Sequence, residues 1–206
     1  MRNVKLVLCM KFFFISIYAL SFFSCASSRF ESKFSPVYVT NSAKFALLPP
    51  ESMAGVVDKE QKLSARFGKF EFETDIYTLA DSEQLSMIIM SEFGTTMASF
   101  FYDGESLDFD TGVFPKEFKA EYIIADFQFG MYDEAAVKAE LAKIGIDFEV
   151  VQYCETDGTC FETRTLSQKG KVIEKITKSR HSEAEESIHY ENFLRGYSYT
   201  LTGVES

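Results

Sequence analysis

The chain has 206 residues and carries 31 acidic against 21 basic side chains, for a net charge of −10. That balance argues against nucleic acid and against electrostatic docking on anionic lipid, so no nucleic-acid partner is expected. The length suits one domain with a sizeable core.

Arg2, Lys5 and Lys11 precede an apolar stretch at 12–23 that only Ser16 and Ser21 interrupt. A basic start, a short apolar run and small residues at its exit predict a signal peptide over 1–24. Lys11 keeps the run below the roughly 20 apolar residues that a spanning helix needs. Ser24-Cys25-Ala26-Ser27-Ser28 then resembles a bacterial lipobox, with Phe22 where Leu is usual. The resemblance implies lipid attachment at Cys25, while cleaved soluble export and an uncleaved anchor stay open. Loss of 24 residues removes three cations and no acid, leaving 182 residues with a net charge of −13. Membrane attachment would then rest on acyl chains, at about 0.8 kcal/mol per buried methylene. The lipidated cysteine and a serine- and charge-rich tether are expected over 25–44, and a single folded domain over 45–206.

From Lys62 to Phe109 the pattern alternates with period two, as in strands. Phe70, Phe72 and Ile76 share one face, then Leu85, Met87 and Ile89, then Met97, Ser99 and Phe101 opposite Ala98, Phe100 and Tyr102. The links "ADSE", "FGT" and "YDGES" read as hairpin turns, the last with an Asp-Gly pair that tolerates positive φ. Pro115 changes the period, and Phe118, Tyr122, Ala125 and Phe129 follow at helical spacing. Asp133 can cap a second helix whose stripe is Ala136, Val137, Leu141 and Ile144. Alternation then returns in five further stretches to Gly203. Strands, two helices and strands again predict an α+β domain, a curved antiparallel sheet around a helical plug.

Parts for catalysis are few. His181 and His189 are the only histidines, and no metalloprotease, P-loop, dinucleotide or nucleophile-elbow motif occurs. Asp103, Glu105, Asp108 and Asp110 do not make a calcium loop, because the twelfth position from Asp103 is Phe114. No metal site, cofactor or enzymatic activity is expected. Cys154 and Cys160 flank an Asp-Gly turn and can form a disulfide in an oxidising compartment; two free thiols are the other reading. Asp126 and Gln128 lie in an otherwise apolar helical stretch, where bonding to nearby backbone is the expected role and ligand contact the alternative. "LSMIIM" and "MASFFY" are apolar on both faces. Either protein covers both faces, or a concave sheet holds a long apolar ligand on Phe70, Phe72, Leu85, Met87, Ile89, Met97 and Phe101.

Five stretches in order, "FALLPP", "FFYDGESL", "FPKEFKAEYIIADFQFGMY", "RTLSQKGKVIEKITK" and "IHYENFLRGYSYTL", carry a resemblance. They resemble a domain-of-unknown-function family of predicted bacterial outer-membrane lipoproteins, often encoded with aryl polyene and fatty-acid-like biosynthesis genes. Its helix motif matches Ile124, Ala125, Asp126 and Gln128, and its strand-pair motif matches Arg164, Leu166, Gly170 and Ile173 or Ile176. Tyr132 stands where the family usually has Trp. That family is similar in fold to the LolA/LolB lipoprotein carriers, which implies an incomplete β-barrel with a two-helix plug and an apolar cavity. The resemblance implies a non-enzymatic protein, lipid-anchored in the outer membrane and facing the periplasm, that binds an acyl lipid or lipoprotein cargo. The alternative is an envelope interaction protein with a fully packed core. "ADSE" is polar, unlike the apolar loop tip of the outer-membrane carrier.

Overall fold

The computed structural model describes residues 34–111, 119–182 and 185–204. The signal segment, Cys25, most of the serine-rich tether and the Pro115 turn lie outside the described residues. A strand pair opens the fold, β1 (Val37–Tyr38) and β2 (Lys44–Phe45), and a 3-10 turn follows at Pro50–Ser52. Five strands then run as a meander: β3 (Val57–Phe67), β4 (Phe70–Ala80), β5 (Leu85–Met90), β6 (Thr96–Tyr102) and β7 (Leu107–Thr111). Helices α1 (Ala120–Met131) and α2 (Glu134–Lys143) come next. The second meander is β8 (Asp147–Cys154), β9 (Cys160–Gln168), β10 (Lys171–Arg180), β11 (Glu186–Asn192) and β12 (Tyr197–Gly203).

The two meanders make one antiparallel sheet, in the order β7-β6-β5-β4-β3-β12-β11-β10-β9-β8. They meet where β3 pairs with β12, with Phe67 opposite Tyr197 and Leu63 opposite Leu201. β7 and β8 are its edges, so the sheet is not closed into a barrel. The architecture is α+β, a ten-stranded antiparallel sheet with two helices.

Short polar side chains set the turns. Asp81 Oδ1 accepts from the Glu83 and Gln84 amides at 2.7 and 3.0 Å. Asp103 Oδ1 accepts from the Glu105 and Ser106 amides at 2.8 and 2.6 Å. An aspartate that bonds its own backbone two and three residues on forms a local turn. The acidic run at 103–110 therefore begins with a carboxylate spent on its hairpin. At the far edge, Cys154 and Cys160 pair directly across β8 and β9, joined by a disulfide with Cα atoms 4.0 Å apart.

α1 is buried on nearly every side, including Ile124, Ala125, Phe127, Phe129 and Gly130. One side lies against the sheet, where a Cβ on Gly130 would come within 2.2 Å of the Tyr190 hydroxyl. The other side is covered by the segment expected as tether. Phe45 meets Phe129 edge-on at 4.8 Å, and the Tyr38 amide of this segment donates to the Tyr122 hydroxyl at 3.3 Å. Val37, Val39 and Ala43 are buried with them. The fold thus begins before the boundary at 45, because α1 has a second apolar face to cover. α2 buries only Val137 and Leu141 and lies at the surface, so α1 alone is enclosed.

Candidate functional site

β3 presents every second residue from Val57 to Phe67 to one long slot. At about 3.3 Å per residue that line is roughly 33 Å long. Ile123, Phe127 and Met131 of α1 form its roof, spaced four apart on one helix face. Ile76, Met87, Ile89 and Phe100 flank one side, and Ile188, Tyr190, Tyr199 and Leu201 the other. The slot is narrow, with an open volume of about 70 Å³. Small-molecule sites usually offer roughly 300–1,000 Å³, so this one is largely filled by its own side chains. Gln61, 2% exposed, sits in the slot wall, and its Nε2 has no hydrogen-bond partner among the described residues.

Of the residues expected to line an apolar concavity, Phe72, Met87 and Ile89 do so. Leu85 is fully buried in the core outside the slot, and Phe70 is 79% exposed at the β3–β4 hairpin. Neither Met97 nor Phe101 lines the slot: Met97 packs against the core beside the buried Thr74 hydroxyl, and the expected inward placement of Phe101 is corrected by the structure. Ile89 pairs with Ala98 but Met90 pairs with Thr96, which leaves Met97 as the extra residue of a bulge. Ala98, Phe100 and Tyr102 then point inward and Phe101 is half-buried on the outer face. Both parities of "MASFFY" are apolar, so alternation alone does not select a face.

Beside the slot, and sharing Phe67, Ile123 and Tyr199 with it, lies a wider cleft of about 360 Å³. Lys119, Tyr122, Asp126, Arg195 and Tyr197 complete its lining. Asp126 accepts from the Tyr197 hydroxyl at 2.8 and 3.0 Å and from the Tyr199 hydroxyl at 3.4 Å. Burial outweighs these donors and the Arg195 charge, and raises the Asp126 carboxyl to about 7. Glu174, 2% exposed, accepts from Asn192 Nδ2 at 2.8 Å, while its Oε1 has no partner among the described residues. Burial first, and then the Asp126 charge, push its carboxyl well above the ordinary range. A carboxyl that keeps its proton is less costly to bury than a carboxylate.

Arg195 stands at the cleft on the β11–β12 turn. Its backbone amide donates to Asn192 Oδ1 at 2.9 Å, its guanidinium lies 4.7 Å over the Tyr122 ring, and Nη2 donates to the Tyr38 carbonyl. No carboxylate lies within ion-pair distance of it among the described residues.

Further along α1, past Asp126, the polar bonding is of another kind. Gln128 Oε1 accepts from the Leu48 amide at 2.9 Å, and Nε2 donates to the Leu48 carbonyl at 2.7 Å. Arg164 Nη1 donates to the carbonyls of Phe129 and Tyr132 at 3.2 and 2.8 Å, and its Nε to Glu162 at 2.7 Å. Burial tends to raise Glu162, but Lys178 and Arg164 prevail and bring it down to about 2. Gln128 therefore bonds backbone as expected, whereas Asp126 is held by side chains. His189 bonds Thr200 Oγ1 from an exposed position, and His181 bonds Thr159; neither lines the slot or the cleft. Sequence reading missed Gln61, Glu174 and Arg195 as site-forming residues, and gave Arg164 only as a match to the family's strand-pair motif. Arg164 shares parity with Leu166, and Glu174 with Ile176, and a charge in step with an apolar face was the available signal.

No curated protein matches the chain. A family model described as "Protein of unknown function (DUF3261)" matches residues 58–205, from the second residue of β3 to beyond the end of β12. The chain belongs to this family.

Proposed function

We propose that this member of the DUF3261 family is a non-enzymatic binding protein for a long apolar molecule, an acyl lipid or the acyl anchor of a lipoprotein. On this reading it is lipid-anchored through Cys25 on the periplasmic side of a bacterial outer membrane and works in the manner of the LolA/LolB carriers. The observation that carries the proposal is the slot along β3, apolar along nearly all of its length and roofed by α1. Gln61 supports it: a buried amide donor without a partner costs about 1–3 kcal/mol, and a ligand carbonyl or hydroxyl in the slot would offset that cost. Met87 and Met131, with their adaptable side chains, are the residues that would yield to a chain.

The test is native mass spectrometry of the processed protein for bound lipid, followed by titration with palmitate. Bound lipid or saturable uptake is expected. Replacing Gln61 with Leu should raise thermal stability and weaken uptake, since it removes an unpartnered group and a ligand contact together. Absence of any lipid and of any uptake would end the proposal.

The narrow open volume favours a second reading, an envelope interaction protein with a packed core. Cross-linking in cells to a protein neighbour, with no lipid recovered, would select it.

A further inference from the structure

We propose that the ligand is a single-chain amphiphile with an anionic end, a carboxylate or a phosphate, and that Arg195 in the tyrosine-lined cleft receives that end while the chain lies in the slot. The inference rests on the binding reading above and adds the chemistry of the ligand's polar end.

Three observations carry it. First, the cleft and the slot share Phe67, Ile123 and Tyr199, so a molecule can occupy both without leaving a continuous wall. The slot is almost purely apolar and the cleft is not, which is the division an amphiphile has along its length. Second, Arg195 is oriented without being neutralised. The Tyr38 carbonyl, the Tyr122 ring and the Asn192 side chain hold it, and among the described residues its side-chain bonds run through Nη2. Among those residues Nε and Nη1 keep their donors, in the forked geometry that binds carboxylate and phosphate oxygens in pairs. Asp126 and Glu174 feel its charge, yet no carboxylate of the described residues reaches ion-pair distance of it, in a chain with ten more negative than positive charges. Third, Lys119 stands on the same cleft as a second cation. Asp126 is the acid that would oppose an anion there, and both tyrosine hydroxyls that face it donate to it. That engagement occupies both of its oxygens with donors from β12.

The proposal is tested by comparing palmitate, hexadecyl phosphate and methyl palmitate on the processed, full-length mature protein. The three share one chain and differ in the charge and kind of their ends. Palmitate and hexadecyl phosphate should each bind about tenfold more tightly than methyl palmitate, equivalent to about 1.4 kcal/mol. Preference for one anion over the other identifies the source of the end. Arg195→Gln should weaken both anions far more than methyl palmitate, so that the preference is lost, and Arg195→Lys should keep part of it. Lys119→Ala serves if Arg195→Gln does not fold, and should reduce the preference about threefold by the weaker charge contribution of an exposed cation. Equal binding of all three ligands by the native protein overturns this proposal but leaves the binding reading standing. An equal loss of all three in Arg195→Gln also overturns it, since the arginine would then only hold β1 against α1. Failure of every ligand to bind the native protein removes both.

Discussion

Polar groups are buried along α1 at similar depth and to different ends. From Gln128 onward, Gln128 and Arg164 bond the backbone at Leu48, Phe129 and Tyr132, and each bond joins two segments of chain. Two residues earlier, Asp126 is met by Tyr197 and Tyr199, which line the cleft as it does. A backbone partner is present in every state of the fold, so such a bond serves as a fastener. Side-chain partners beside a cleft can exchange one another for a ligand. The comparison separates polar burial that holds the structure from polar burial that leaves chemistry available.

It can be broken or sharpened by substitution, and the largest effect is expected at the fastened end. Arg164→Leu leaves the Phe129 and Tyr132 carbonyls without their buried donor and Glu162 with Lys178 alone, and should cost about 3 kcal/mol in urea denaturation. A cost below that of an ordinary surface change would show that this end is not fastened as described. Gln128→Leu strands the Leu48 amide, although the Tyr102 hydroxyl still donates to its carbonyl at 3.0 Å, and should cost about 2 kcal/mol. The exchange of Leu48 amide hydrogen should quicken in the same variant. Gly130→Ala ought to stabilise α1 by helix propensity, yet its methyl meets Tyr190; a net cost of about 2 kcal/mol is expected by thermal melting.

At Asp126 the sign reverses with pH. Asp126 titrates near 7 in the folded chain against 3.8 for an unperturbed group, so the folded state binds the extra proton between those values. Stability contributed by this group is full below about pH 4 and is lost as pH rises toward 7. Asp126→Asn should flatten that part of the pH–stability profile. The variant should also exceed the native protein by about 1 kcal/mol at pH 8, where the native carboxyl is ionised. A profile as steep as the native one would assign the slope to Glu174 alone.

Much of the fold was legible because its signals are local. Asp81 and Asp103 mark hairpins by bonding their own backbone, and the Asp-Gly turn between Cys154 and Cys160 sets two cysteines directly opposite each other. The site was less legible for three physical reasons. The partners of Asp126 lie 71 and 73 residues away, and no spacing rule reaches that far. A bulge in β6 shifts Met97 out of register, and bulges leave little trace when both faces are apolar. A second bulge, in β10 between Val172 and Glu174, lets Ile173 and Glu174 both turn inward and disguises the buried acid as a surface one. Sequence alone also does not tell whether α1 needs one cover or two, and so it ended the tether too late.

The seam between the two meanders has a consequence in time. β3 is among the first strands made and β12 is the last, and only their pairing unites the sheet. Each meander contains its own hairpins and can begin to form as it is synthesised. The central pair cannot close until β12 has been made, and the slot along β3 has no complete second wall before then. Loss of β12 would therefore not trim an edge; it would divide the sheet down its middle.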